Sequence, residues 1–467
     1  MNSSVPGAAK TSTSNSGESA PFTSGTAPGG RPVIGHVLPL MRDPAAFLAS
    51  LPAFGDLVEI RLGTTRAHVP CHPELLWQVM VDDRLFDKGG KYYDRVREMA
   101  GNGVATCMHD DHRRQRRLLQ PAFHASRLIR YAQIMEQEIA GLTGAWSRAQ
   151  SIDAYPVLYG MALRTLTRTL FSSQVDADTV EGIRRSFDTV FGGFFQQMFL
   201  PRFTRRLPLP GNLRHQRALR HLRAAVPQVI ADSREADDDG NLLAALLAAH
   251  ADQDVPVDDA QLHDHVVTVL AAGSETVAAT LTWSLYLLAS DPQAQERLQA
   301  EADAALAGPV ATWDNLPDLP FTRRVLTETI RLYPPGWMFS RVTTSDTELA
   351  GKRLPAGTTI VITPFPVHRN PEIFRDAGSF DPDRWLPERA APLPRGAFSG
   401  FGAGARKCIG DDFGMGECAM ALATIARRWD VRAQPGADTR PVPLAGFYRP
   451  RRLSLQLTRR GPAEGLA

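Results

Sequence analysis

From Leu57 to Leu62 apolar and polar side chains alternate and Gly63 follows, the period of a half-buried strand running into a turn. A second short strand is expected around Ala67–Pro70. Most of the remaining chain carries apolar residues at helical spacing, broken by the Pro-rich connectors Leu207–Pro210 and Ala391–Pro394. The longest apolar run, His265 to Ser290, is interrupted at its middle by Ser274 and Glu275. A carboxylate there is costly in a bilayer, so the run predicts a buried core helix and no membrane span. Asp258 is placed to cap it, with Gln261 three residues on, and Asp291-Pro292 stops it. About 33 residues at about 1.5 Å each make roughly 50 Å, enough to cross the whole protein. Further helices are expected over Phe321–Leu332 and from behind Cys408 to about Arg428. The fold class is therefore mainly α with a small β portion.

Composition adds little to this picture, and charge narrows it. The chain of 467 residues is 43% hydrophobic and 22% charged, as an ordinary globular protein with a large core would be. Residues 1–30, rich in Ser, Thr, Gly, Ala and Pro, read as a disordered tail, and residues 31–467 as one domain without internal repeats. Net charge is +2, from 52 basic and 50 acidic residues, which argues against nucleic acid as a partner despite the basic stretch Asp111–Arg117. Arg113, Arg114 and Arg117 read as a solvated face, with docking of an acidic redox protein as the functional alternative. Cys71, Cys107, Cys408 and Cys418 form no CxxC pair, consistent with a reducing cytoplasm.

Chemistry concentrates in three motifs. In Phe401-Gly-Ala-Gly404-Ala-Arg406-Lys-Cys408-Ile-Gly410 a thiol precedes a helix N-terminus, whose N–H groups and dipole favour a thiolate, while the glycines allow tight turns and close approach. Arg406 suits a carboxylate partner. Upstream, Glu328 and Arg331 stand at i, i+3 on one helix face, a pairing common on solvated surfaces. Ala272-Gly273-Ser274-Glu275-Thr276 lies mid-way along the long helix. There Thr276 is placed to back-bond to the Ala272 carbonyl, and Gly273 removes a side chain at a point of close approach.

The first motif matches FxxGxRxCxG at every fixed position, and the chain from about Gly35 to Leu457 resembles the cytochrome P450 family. The resemblance implies the cytochrome P450 fold, haem b, and Cys408 as the sulfur ligand of iron. It places Glu328, Arg331 and Arg384, the last in Phe380-Asp-Pro-Asp-Arg384-Trp385, in a buried charge network that pins the haem loop. It makes His112, Arg116, Arg341 and Arg406 donors to the haem propionates, with Phe401 and Gly410 at the macrocycle. Glu275 and Thr276 become a proton relay at the oxygen site, although Val277 replaces the Ser or Thr that usually follows.

An aromatic stripe from Phe187 to Phe199 implies a pocket roof with Phe194 and Phe195, and Trp337, Met338 and Phe339 are expected at its side. The resemblance implies a monooxygenase that puts one atom of O2 into a bulky apolar molecule by hydroxylation or epoxidation. A terpene is favoured, because Phe194–Asn212 and Phe380–Arg389 are similar to bacterial sesquiterpene hydroxylases. A polyketide or macrolactam and a peroxide-driven peroxygenase are the alternatives. A haem-thiolate sensor would not require Glu275 and Thr276. The chain shows no flavin or ferredoxin domain, so electrons from NAD(P)H are expected through a separate ferredoxin reductase and ferredoxin.

Overall fold

A computed structural model describes residues 22–147, 149–171, 177–192, 194–199, 207–235, 242–244, 259–389 and 392–461. Its axis is the helix Asp259–Ser290, continuous over 32 residues. Asp258, the expected cap, lies outside the described residues. The helix stops as expected: Asp291 leaves the helical conformation, accepts from the Ala294 N–H at 3.0 Å, and starts the next helix with Pro292. This central helix is long and apolar enough to span a bilayer, but 83% of its most apolar window is buried inside the protein. Helices Ala154–Phe171, Asp411–Arg428 and Pro320–Leu332 pack around it. It is buried on every side rather than along one stripe, and this is why its apolar run shows no amphipathic period.

The largest sheet runs, in spatial order, Ser24–Thr26, Leu57–Leu62, Thr65–Pro70, Thr359–Ile362, Phe339–Thr343 and Phe86–Asp87. Leu62 pairs with Thr65 across a tight turn in which Gly63 takes φ +63°, a conformation open to glycine. The strand Leu57–Leu62 has the bounds its alternation predicts, and Thr65–Pro70 extends the second expectation by two residues. The expected tail is corrected over its last part. Ser24–Thr26 pairs in parallel with Leu57–Glu59, and Thr23 is tied to the Asp56 carboxylate at 2.8 Å. Residues 1–21 lie outside the described residues. At the far edge, Asp87 pairs with Val342, which sets Lys88 beside Arg341.

A second cluster of buried aromatics ties helices to sheet. Trp283 of the central helix stacks on Tyr333 at 4.1 Å and donates its indole N–H to the Tyr448 carbonyl at 2.9 Å. Each such ring contributes about 2–3 kcal/mol of burial, and the polar edge of the indole is satisfied as well.

Candidate active site

The loop Phe401–Gly410 is closed on itself by the Cys408 N–H, which donates to the Phe401 carbonyl at 2.9 Å. Gly404 has φ +64°, and a Cβ there would stand 2.8 Å from Val81 Cα, so glycine is required twice over. Gly410 differs: its φ is −105° and an added Cβ would meet only Phe123, at 3.5 Å. Protein packing therefore does not demand glycine at 410. The loop delivers Cys408 to a cavity of about 360 Å³. Cys408 keeps accessible surface, but that surface faces the cavity, well inside the protein. Burial pushes its thiol up, against the opposing Gly410 N–H, Arg116 and Lys407. The expected depression by the helix terminus is thus overruled by desolvation in the free protein. Cys71, Cys107 and Cys418 are buried, and burial pushes their thiols up too.

Across the cavity the central helix presents Thr268, Ala271, Ala272, Thr276 and Thr280. Thr276 donates to the Ala272 carbonyl at 2.7 Å, as its spacing predicts. Two neighbours depart from expectation. Gly273 faces the helix Ala154–Phe171, where a Cβ would come within 2.6 Å of Leu166 Cδ1; its glycine serves helix packing, not the cavity. Glu275 also points away from the cavity: its Oε2 accepts a short bond from the Tyr155 hydroxyl, while its buried Oε1 has no partner among the described residues. Burial raises Glu275 to about 7, opposed chiefly by Arg449 and by the Tyr155 hydroxyl. Arg449 lies 4.4 Å from the Tyr155 ring and donates to Asp188 at 2.6 Å.

Glu328, Arg331 and Arg384 meet as expected. Arg331 grips Glu328 with both arms, Nε to Oε2 at 2.8 Å and Nη2 to Oε1 at 2.7 Å, and both side chains are fully buried. Arg384 Nε adds a bond to Oε1 at 2.9 Å and Trp385 Nε1 one to Oε2 at 2.9 Å. The remaining Arg331 donors reach the carbonyls of His368 and Ala377, each at 2.7 Å. His368, missed in the sequence, carries this network to the cysteine loop. Burial lowers it to about 3, so it is neutral; its Nε2 accepts from the Ser399 N–H at 3.0 Å, so its Nδ1 donates to the Arg331 carbonyl.

At the edge of the cavity stand Lys88, Arg341 and Arg406. Arg406 lines the cavity and donates to Asp83 and Asp87, each at 2.9 Å, and to the Cys107 carbonyl at 2.8 Å, so protein acids fix its position. Arg116 and His112 do not line the cavity. Arg116 instead donates to the Lys407 carbonyl at 2.5 Å, and buried His112 is held neutral, near 3, by desolvation and by Arg406 and Lys88. Among the described residues Lys88 and Arg341 have no acidic partner: Lys88 donates to the Ala105 carbonyl at 2.7 Å, and Arg341 to the Tyr93 hydroxyl and Ser340 carbonyl, each at 3.0 Å. Arg341 Nε is buried and has no partner among the described residues.

Tyr92, Phe191, Phe194, Phe339 and Phe447 line the cavity, and no acidic side chain does among the described residues. Phe195, Trp337 and Met338 do not line it. Phe195 packs on Trp337 at 5.1 Å, and Trp337 donates to the Ala445 carbonyl at 3.1 Å. Residues adjacent along a chain turn to different sides, so Phe194 and Phe339 reach the cavity while Phe195 and Met338 support them from behind.

Residues 27–455 match the cytochrome P450 family. The chain belongs to that family. It is 52% identical to pentalenene oxygenase of Streptomyces avermitilis over 95% of this chain and 99% of that one. Cyclooctatin synthase and cyclooctat-9-en-7-ol 5-monooxygenase of Streptomyces melanosporofaciens are each 44% identical, over 89% of this chain and 92% and 91% of theirs. The protein is a P450 monooxygenase of the haem-thiolate type.

The residues present fit that cofactor. Lys88 and Arg341 are buried cations without carboxylate partners among the described residues, as two propionates require, and Gly410 borders the cavity where protein atoms alone leave room for a Cβ. Cys408 would supply the thiolate and Phe401 would lie alongside. Lys88 could not be read from the sequence, because its significance comes from Arg341 across a strand pairing. Tyr155 was missed for the same reason, since it meets Glu275 only through helix packing.

Proposed function

We propose that this P450 oxidises a terpene, by hydroxylation or epoxidation, at the bond held over Cys408. The observation that carries the reading is the cavity facing Cys408, aromatic in its walls and free of acidic side chains among the described residues. Such a pocket holds a hydrocarbon by shape and excludes water. The relatives named for pentalenene and cyclooctatin chemistry support the same class. Bound haem b supplies the activation of O2, with one atom going to the substrate and the other to water.

The protein's own residues supply protons and order. Thr276, at the cavity wall, presents a hydroxyl that exchanges a proton on the substrate side of the helix. Glu275 is raised to about 7, so near neutral pH both its protonation states are populated, and Tyr155 fixes one of its oxygens. Glu328, Arg331 and Arg384 hold the cysteine loop through His368. Arg113 and Arg117 are exposed on the helix His109–Leu119, whose Arg116 touches the Cys408 loop. That face suits an acidic ferredoxin, fed from NAD(P)H by its reductase, and we place the system in the cytoplasm. The experiment is a titration of ferric holoprotein with a terpene panel, read by the Soret shift, with product analysis of the binders. Binding of terpenes with oxygenated product is expected. Binding of macrolactams or polyketides alone would contradict the reading.

A further inference from the structure

Most hydroxyl groups on the cavity lining are accounted for by the protein itself. Tyr93 accepts from Arg341 at 3.0 Å, Thr106 donates to the Gly101 carbonyl at 2.7 Å, Thr276 donates to the Ala272 carbonyl at 2.7 Å, and Ser399 Oγ lies 3.4 Å from His368 Nε2. Thr268 Oγ1 is sealed against Gly103. Thr280 stands one turn beyond Thr276, on the stretch of helix where Val277 meets Gly414 and Cys418. Tyr92 is different. It lines the cavity and keeps accessible surface, and its hydroxyl is neither hydrogen-bonded among the described residues nor closed off by protein atoms. Edge-on contacts hold its ring against Tyr93 at 5.0 Å, Phe194 at 5.4 Å and Phe339 at 6.5 Å, and Phe195 packs at 5.8 Å. Phe194 and Phe339 are themselves cavity wall, so the phenol is a polar tip set in an aromatic surface, with its direction fixed by packing. Its neighbour Tyr93 turns to the cationic edge instead, with Lys88 5.7 Å from its ring centre and its hydroxyl on Arg341. Burial pushes the Tyr92 phenol up, Tyr93 adds to the shift and Arg341 opposes it, so the group remains a neutral O–H donor.

We infer that Tyr92 is a specificity-determining residue whose hydroxyl donates a hydrogen bond to an oxygen already carried by the substrate, a terpenoid alcohol or ketone. This rests on the terpene reading above and sharpens it. A hydrocarbon that fills the cavity displaces water from the phenol and gives it no acceptor, which is unfavourable for a donor in an apolar wall. The same skeleton with an alcohol or ketone oxygen at that wall restores the bond. Discrimination of this kind is strong because the site's own polar group is left unpaired by the analogue that lacks the oxygen. No covalent bond is made or broken at Tyr92, which binds and orients.

The test uses ferric holoprotein and matched pairs of sesquiterpene and diterpene hydrocarbons with their mono-alcohols, cedrene with cedrol among them. Dissociation constants come from the Soret shift. Tyr92→Phe removes the hydroxyl and keeps the ring in its aromatic packing. That variant is expected to hold haem as the wild type does, to weaken the best-bound alcohols by about tenfold, and to change the hydrocarbons by less than about twofold. Equal losses for both members of a pair would show a packing role and overturn the inference, as would an unchanged alcohol affinity. A Tyr92→Phe protein with a reduced haem-to-protein ratio would assign the hydroxyl to a propionate and would likewise overturn it. Failure of every hydrocarbon and alcohol to bind the wild-type protein would instead overturn the terpene reading itself.

Discussion

Glu328 ties this protein's buried electrostatics together, because two guanidinium groups, an indole and a backbone N–H all converge on its carboxylate. Removing Arg331 strands that charge, at a cost of about 3–5 kcal/mol. Arg331→Ala is therefore expected to lose haem on purification, and Arg331→Lys to recover only part of the haem-to-protein ratio, since an ammonium cannot make the paired bonds. Thr276→Ala should keep its haem and divert reducing equivalents to peroxide, measured as product formed per NAD(P)H consumed. Tyr155→Phe tests the neighbouring carboxyl. The Tyr155 bond favours the ionised form of Glu275, so its loss moves the Glu275 titration upward from about 7. The pH profile of coupling is expected to shift toward the alkaline side in that variant. Residues fixed by covalent spacing were legible in the sequence: Cys408 in its loop, and Glu328 with Arg331 one helical turn away. The direction of Glu275, the acids that hold Arg406, and the packing reason for Gly273 were not, since each is set by a partner from a distant part of the chain.

At the scale of elements, the central helix could be read because its stop signal and its length are local properties. The edge strand Ser24–Thr26 could not. Its composition is that of a loop, and only Asp56 and the neighbouring strand make it regular. The same distinction explains the cavity walls, which Phe194 and Phe339 reach while Phe195, Trp337 and Met338 do not. Helix Asp411–Arg428 carries a further consequence. Glu417 is buried against Thr165 without reaching hydrogen-bond geometry, and burial raises its carboxyl to about 8. The folded state thus binds a proton that the unfolded state, titrating near 4.5, releases earlier. That contribution to stability is fully present below about pH 4.5 and is lost as pH rises toward about 8. Glu417→Gln removes the dependence. Its melting temperature should exceed wild type by roughly 3 °C or more at pH 8, with a smaller difference at pH 5. Equal differences at both pH values would contradict the neutral buried carboxyl.

For the molecule as a whole, net charge is only +2, and the exposed Arg113 and Arg117 stand on the helix whose Arg116 touches the cysteine loop. Exposed Arg113 and Arg117 are expected to steer an acidic electron donor, so reduction by ferredoxin should slow as salt rises and the screening length shortens to about 8–10 Å. The Arg113→Glu, Arg117→Glu double variant should be reduced roughly tenfold more slowly at low salt and lose most of the salt dependence. The sheet, the cavity and the Glu328 network converge on one atom, the sulfur of Cys408. Its role is tested most directly by the absorption spectrum of the reduced, carbon-monoxide-bound protein. The wild type should show the red-shifted Soret band of thiolate ligation, and Cys408→His should lose it while keeping haem or should fail to bind haem. Persistence of that band in Cys408→His, or its absence from the wild-type holoprotein, would contradict the account.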